Sequence, residues 1–289
     1  MVADFGPALP NARVCVYDSN AIDGTAAVAR AAGAVVRTET MQGKGHVVRR
    51  MFADIEADMF VLVDGDDTYD AAVAPDMLRL MVDRQLDMVT GTRQTDAIEA
   101  YRPGHRLGNA VLTGLVRQIF GDRVADMLSG YRVFSRRFVK SFPALTVRFD
   151  IETQFTVHAL ELNMPIGEVV TAYRGRPPGS TSKLHTYSAG APILRTIVKL
   201  VKEERPLQFF ALTGLVLLAI GLLLGLPVVV EFVRTGLVLR LPTAVLATGI
   251  VLLSFLSFLC GLVLDTVTRV RREMKRLAYL AIPGVAAGG

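Results

Sequence analysis

The sequence predicts an α/β protein, built on a doubly wound, mostly parallel sheet and followed by a C-terminal hairpin of two transmembrane helices. Three observations carry that prediction. Apolar strand-like runs alternate with helix-period segments through roughly the first 200 residues, each strand ending in turn chemistry. Two late runs, 207–230 and 241–264, hold no charged side chain. Between them in character stands VLVDGDDTYD (61–70), an apolar strand that stops in a cluster of carboxylates.

Taken in order, ARVCVYD (12–18) is a short β-rich run, and Asp23-Gly24-Thr25 opens the helix-period segment TAAVARAAG. AVVRTE (34–39) is the next strand, and GKGHVVRRMFADIEAD (43–58) is helical after a glycine-rich start. MFVLVD (59–64) is a strand, APDMLRLMVDRQ (74–85) a helix and DMVTGTR (87–93) another strand. In sheets of this kind ligands bind beyond the carboxyl ends of the strands. Asp18, Asp64 and Arg93 each fall at such an end.

Asp64, Asp66, Asp67 and Asp70 lie within seven positions, and four like charges that close repel unless water or a cation sits among them. An EF-hand calcium loop is excluded, because Tyr69 stands where its sixth-position glycine belongs and Pro75 where its twelfth-position glutamate belongs. A solvated acidic turn is one reading. The other is a hard divalent cation shared by the Asp64/Asp66 pair, completed by water and phosphate oxygens. Asp64 closes a strand that reads as buried, at the ligand edge, and this favours the metal.

With 51% hydrophobic residues the chain is too apolar for an ordinary soluble enzyme, and the excess sits in the two late runs. As helices each reaches roughly 36 Å, enough to cross a hydrocarbon core of about 30 Å. Arg195, Lys199, Lys202 and Arg205 precede the first run, while Arg269, Arg271, Arg272, Lys275 and Arg276 follow the second. The connection carries Arg234 and Arg240 against Glu231, so the positive-inside bias places both ends in the cytoplasm. The net charge of +5 resides largely in these flanks and does not point to nucleic acid. Residues 191–206 put Ile193, Ile197, Leu200 and Val201 on one face and basic residues on the other, the pattern of an interfacial amphipathic helix. The expected organisation is a cytoplasmic domain over 1–190, that helix, spans at 207–230 and 241–264 around an extracytoplasmic loop at 231–240, and a basic tail over 265–289. The opening MVADFGPALPN has no apolar signal region. Cys15 and Cys260 form neither a disulfide framework nor a zinc site and read as packing residues.

YDSNAIDGT (17–25), VDGDDTYD (63–70), GTR (91–93), YRPGHRLGN (101–109), DMLSGYRVFSR (126–136) and RPPGSTSKL (176–184) follow one another in an order that resembles family 2 glycosyltransferases of the GT-A fold. More narrowly they resemble the polyprenyl-phosphate sugar transferases, the group of dolichyl-phosphate mannose synthase and its two-span bacterial relatives. The resemblance implies a membrane enzyme moving a sugar from a UDP- or GDP-linked donor to polyprenyl phosphate. It implies Asp18 on the nucleotide base, and Asp64 and Asp66 as ligands of Mg²⁺ or Mn²⁺ against the donor diphosphate. It implies Arg93, Arg106, Ser129, Arg176 and Lys183 on the acceptor phosphate, with Ser129 lying in the active-site wall and Asp126 orienting the acceptor. A lipid phosphate is already anionic at neutral pH, so His46, His105, His158 and His185 are not required as general bases. The reaction expected is a direct inverting displacement, and a homotetramer is compatible with the resemblance.

The same family opens with an apolar strand and a P-x-x-N-E-type loop that have no counterpart here. ARVCVYD matches its second strand, so the domain reads as N-terminally incomplete, which bears on donor affinity. Ala21-Ile22 also replaces a Ser-Thr pair before D-G-T. Processive polysaccharide synthases need a Q-x-x-R-W segment, and this chain has no tryptophan. GKG (43–45) lacks the P-loop frame, which argues against a nucleotide-switch regulator. A non-catalytic scaffold that binds nucleotide sugar without transfer stands as the alternative.

Overall fold

The computed structural model describes residues 1–21, 24–94, 126–144, 151–172, 198, 202 and 204–285. The chain divides into two units, Met1–Ala189 with Met274–Gly289, and Gly190–Glu273.

In the first unit the strands are β1 (Cys15–Asp18), β2 (Val35–Thr38), β3 (Met59–Leu62), β4 (Met88–Gln94), β5 (Arg132–Ser135) and β6 (Ile166–Ala172). The helices are α1 (Val2–Ala8), α2 (Thr25–Ala31), α3 (Lys44–Asp54), α4 (Ala74–Asp83) behind a 3₁₀ turn at Ala71–Val73, α5 (Arg136–Ser141) and α6 (Ile151–Glu161). β1 and β2 pair in parallel as a sheet of their own, and the other four strands form a second sheet in the order β3-β5-β4-β6. β4 and β6 are parallel over Met88–Gln94, whereas β5 runs antiparallel to both β3 and β4. Among the described residues, that reversal and the division into two sheets depart from the single parallel run expected of the strand–helix alternation.

Side chains alternate across the four-stranded sheet, and its two faces bury different cores. Met88 and Phe134 face a cluster with Val48 and Phe52 of α3, Phe138 of α5 and Phe155 of α6. Phe134 stacks on Phe138 at 4.4 Å between ring centroids, and each buried ring contributes roughly 2–3 kcal/mol. Val89 and Val133, the next pair along the antiparallel ladder, face Phe5 of α1 with Met77 and Met81 of α4. Helices therefore cover both faces, and β5, central and closed on each side, is buried throughout. α5 starts where the Ser135 hydroxyl accepts the Phe138 amide at 3.2 Å.

The second unit is an antiparallel helix pair, with α7 at Pro206–Thr235 and the greater part of α8, which runs Leu241–Leu280. Both are long and apolar enough to cross a membrane by length and composition. Gly214, Gly221 and Val228 of α7 are buried, as are Ala247, Ser254, Gly261 and Thr268 of α8. The spacing of seven brings one stripe of each helix to the seam. Backbones come close there: Ser254 Oγ donates to the Gly214 carbonyl at 2.9 Å and Ser257 Oγ to that of Phe210 at 2.8 Å. Outward apolar side chains are exposed, Leu223 at 75%. Both helices outrun the expected spans. α7 continues to Thr235, where Gly236 ends it at φ 71°, and the expected basic tail is helical as far as Leu280. An Asp265–Arg269 pair one turn apart, at 2.7 Å, favours that continuation.

The last turns of α8 belong to the first unit. Asp87, fully buried before β4, accepts from Ser135 Oγ at 2.6 Å, Arg137 Nη2 at 2.8 Å and Tyr279 Oη at 2.7 Å. The Arg137 guanidinium lies over the Tyr279 ring at 4.7 Å, and Lys275 Nζ donates to Glu161 at 2.6 Å. A buried carboxylate with this many donors is compensated, so the tail is part of this unit's packing.

Candidate functional site

The chain leaves β3 through Val63 and reaches Asp64 at the carboxyl end of the strand. Beside it stands a residue that the strand-end pattern did not single out. Lys44 is the first residue of α3, and its ammonium donates to Asp64 Oδ1 and to Glu152 Oε1 of α6. Gly43 supplies the turn, at φ 128°, a backbone angle that side chains disfavour. Burial works to lower the Lys44 pKa, but the charges of Glu152 and Asp64 outweigh it and the net shift is upward. Lys44 is therefore a fixed cation at neutral pH.

The remaining carboxylates of the acidic stretch divide by role. Asp66 accepts from Thr68 Oγ1 at 2.7 Å. Asp70 caps the 3₁₀ turn by accepting the Ala72 amide at 3.0 Å. Asp67 adopts φ 58°, and its carboxylate lies 3.3 Å from the Met1 ammonium. Asp67 and Asp70, which carried no role in the sequence motif, shape the loop.

The opposite wall is the segment Asp126–Tyr131, which enters β5. Gly130 packs directly against Asp64, since a Cβ at this position would lie 2.2 Å from Asp64 Oδ2. The Gly130 amide donates to Tyr69 Oη at 2.9 Å, and burial raises the Tyr69 pKa. Ser129 is fully buried and its hydroxyl donates to the Gly91 carbonyl at 2.6 Å. In this arrangement Ser129 holds the wall to β4, and meeting a phosphate would break that bond. Arg132, also fully buried, pins the segment from beneath: Nε donates to the Ser129 carbonyl at 3.0 Å and Nη2 to that of Met127 at 2.7 Å. Burial lowers its pKa to about 10, so it stays charged at neutral pH.

Arg93 and Asp126, expected separately, meet as a two-pronged pair: Nε to Oδ2 at 2.8 Å and Nη2 to Oδ1 at 2.9 Å. Burial pushes the Asp126 pKa up, yet the hydrogen bonds and charge of Arg93 outweigh it and leave the carboxyl below its ordinary range. Asp18, at the end of β1, accepts the Ala21 amide at 3.0 Å and orders the loop after the strand. Arg106, Arg176, Lys183, His105, His185 and the expected interfacial face (Ile193, Ile197, Leu200, Val201) lie outside the described residues. His158 is buried in α6 beside Ser141 Oγ at 3.1 Å. Burial, then the charge of Lys275, lowers its pKa to about 3.

Among the described residues no cluster of three or more His, Cys, Asp or Glu is placed to hold a metal. Two carboxylates on one tight loop nonetheless suit a hard divalent ion that keeps water and takes phosphate oxygens. Gly130 fits that use as well, because any side chain there would collide with the Asp64 carboxylate and push it from its place. Lys44 and Glu152 are the functional candidates missed at the level of sequence. GKG by itself signals only a glycine-rich helix start, and D-I-E at 150–152 is separated from it by some hundred residues.

Residues 5–142 match the sequence profile described as Glycosyl transferase family 2. The chain is 33% identical over 276 residues to glycosyltransferase AglJ of Haloferax volcanii, covering 93% of this chain and 89% of that one. It is 31% identical over 192 residues to the dolichyl-phosphate hexose transferase of the same organism, covering 66% of this chain and 82% of that one. The fold is that of glucosyl-3-phosphoglycerate synthase from Mycobacterium tuberculosis, at a TM-score of 0.56 with 20% identity, covering 70% of this chain and 72% of that one. That synthase is also known in complex with Mn²⁺, UDP-glucose and phosphoglyceric acid.

Proposed function

The chain belongs to glycosyl transferase family 2, and we propose that it transfers a sugar from a UDP- or GDP-linked donor to polyprenyl phosphate at the cytoplasmic face of a membrane. One observation carries the reading. The Asp64/Asp66 pair sits at the ligand edge of the sheet in a chain that ends in two helices long and apolar enough to cross a membrane. The relationship to a dolichyl-phosphate hexose transferase supports a lipid-phosphate acceptor.

Asp64 and Asp66 would hold Mg²⁺ or Mn²⁺, which stabilises the leaving nucleoside diphosphate as its charge develops. Asp18 is assigned to the nucleotide base. Arg93, Arg106, Arg176 and Lys183 receive the acceptor phosphate, where guanidinium groups match its geometry. Asp126 holds Arg93 in place, so its part is to orient that cation. The acceptor oxygen arrives as an anion and no side chain has to remove a proton from it. His158, buried and neutral, is unsuited to that task in any case. A single inverting displacement at the anomeric carbon follows.

The test is transfer of radiolabelled sugar from a panel of UDP- and GDP-sugars to undecaprenyl phosphate in detergent, with Mg²⁺, Mn²⁺ or EDTA. Lipid-linked product that disappears with EDTA is the expected result. Binding of a nucleotide sugar with no lipid product under any metal would overturn transfer in favour of the non-catalytic scaffold.

A further inference from the structure

Lys44 bridges two carboxylates of different standing. Asp64 is an assigned metal ligand, while Glu152, only 7% exposed, belongs to α6 and has no part in the donor motif. Both oxygens of Asp64 are engaged: the ammonium is on Oδ1, and the Gly130 backbone packs against Oδ2. A divalent ion that uses Oδ1 must displace Lys44. Displacement from a lone carboxylate would strand a half-buried cation, but here Glu152 retains it.

We propose that Lys44 is a resident counter-cation of the donor site, held by Asp64 when no divalent ion is bound and kept by Glu152 when one is. The proposal rests on the reading of Asp64 and Asp66 as metal ligands and adds the regulation of that site. Without Lys44, Asp64 and Glu152 would face each other uncompensated in the empty site. With it, the ion alone binds against a neighbouring positive charge. A nucleoside diphosphate brings the negative charge that offsets this repulsion, so ion and nucleotide bind together more readily than either alone. Such coupling is reciprocal by necessity. The site then discriminates against metal without donor, using a charge that never leaves the protein.

The experiment measures Mn²⁺ binding to the full chain in detergent, from the electron paramagnetic resonance of the unbound ion, with and without UDP. Lys44→Met should bind Mn²⁺ alone about tenfold more tightly than wild type, the scale expected for removing one charge from beside a divalent ion near water. The enhancement of Mn²⁺ affinity by UDP should shrink by a similar factor. Glu152→Gln should weaken Mn²⁺ alone in the presence of Lys44, and do so much less in the double variant. Lys44→Gln, which retains a polar head against both carboxylates, should give the same sign and serves if the methionine variant does not fold. Unchanged or weaker Mn²⁺ binding by a folded Lys44 variant would overturn the proposal. Asp66→Asn separates the two levels: if it leaves Mn²⁺ affinity unaltered, the metal assignment itself fails and the Lys44 proposal falls with it.

Discussion

Gly130→Ala is the smallest change that tests the geometry around Asp64. Gly130 does not occupy a left-handed backbone conformation, so an alanine introduces no backbone strain. Its methyl carbon would, however, lie 2.2 Å from Asp64 Oδ2 and 2.5 Å from Asp64 Cγ. A relaxed carbon–oxygen contact needs more than 3 Å, so one partner must move by roughly 1 Å. The Asp64 side chain is 35% exposed and can turn away, whereas Gly130 is tied to Tyr69 through its amide. A forced rotamer costs about 1 kcal/mol, and a displacement of 1 Å in a reacting constellation about 100-fold in rate. The expected outcome is a loss of sugar transfer of about two orders of magnitude with thermal unfolding in detergent shifted by only a few degrees. The assays are lipid-linked product formation and the melting curve of the same preparation. Wild-type turnover by a well-folded Gly130→Ala would refute the placement of Asp64 against this wall. A collapse of stability would show instead that the strain is taken up by the backbone.

Two further outcomes follow from buried charges. Asp126→Asn removes the two-pronged partner of Arg93 and should cost about 2–3 kcal/mol in urea unfolding at neutral pH, with acceptor KM raised. Because the Asp126 carboxyl titrates lower in the folded chain, the wild-type pair should keep its full contribution above the ordinary carboxylate pKa of about 4 and lose it as pH falls through the lower folded value. The variant should lack that acid step. Tyr279→Phe removes one donor from the fully buried Asp87 and should lower stability by about 1–2 kcal/mol, read by thermal melting.

Much of this organisation was legible in the residues. Apolar alternation located β1 to β4 within a few positions, because strand periodicity is a local property of the chain. The two charge-free runs located α7 and α8 for the same reason, since length and hydropathy need no partner. Asp18, Asp64 and Arg93 could be assigned to strand ends because turn chemistry follows each apolar run immediately.

What only tertiary structure decided concerns residues far apart in the chain. β5 is inserted antiparallel between β3 and β4, a pairing that no local pattern encodes. Asp126 proved to be the partner of Arg93, and Ser129 a buried tie to Gly91. The end of α8 closes on Asp87 across 192 positions. Lys44 and Glu152, 108 positions apart, meet at Asp64. A side chain's type and its place on a strand can be read along the sequence, but the charge it faces is set by how distant elements pack. At a site built from buried ions, that packing determines which carboxylate is open to a ligand and which already holds a cation.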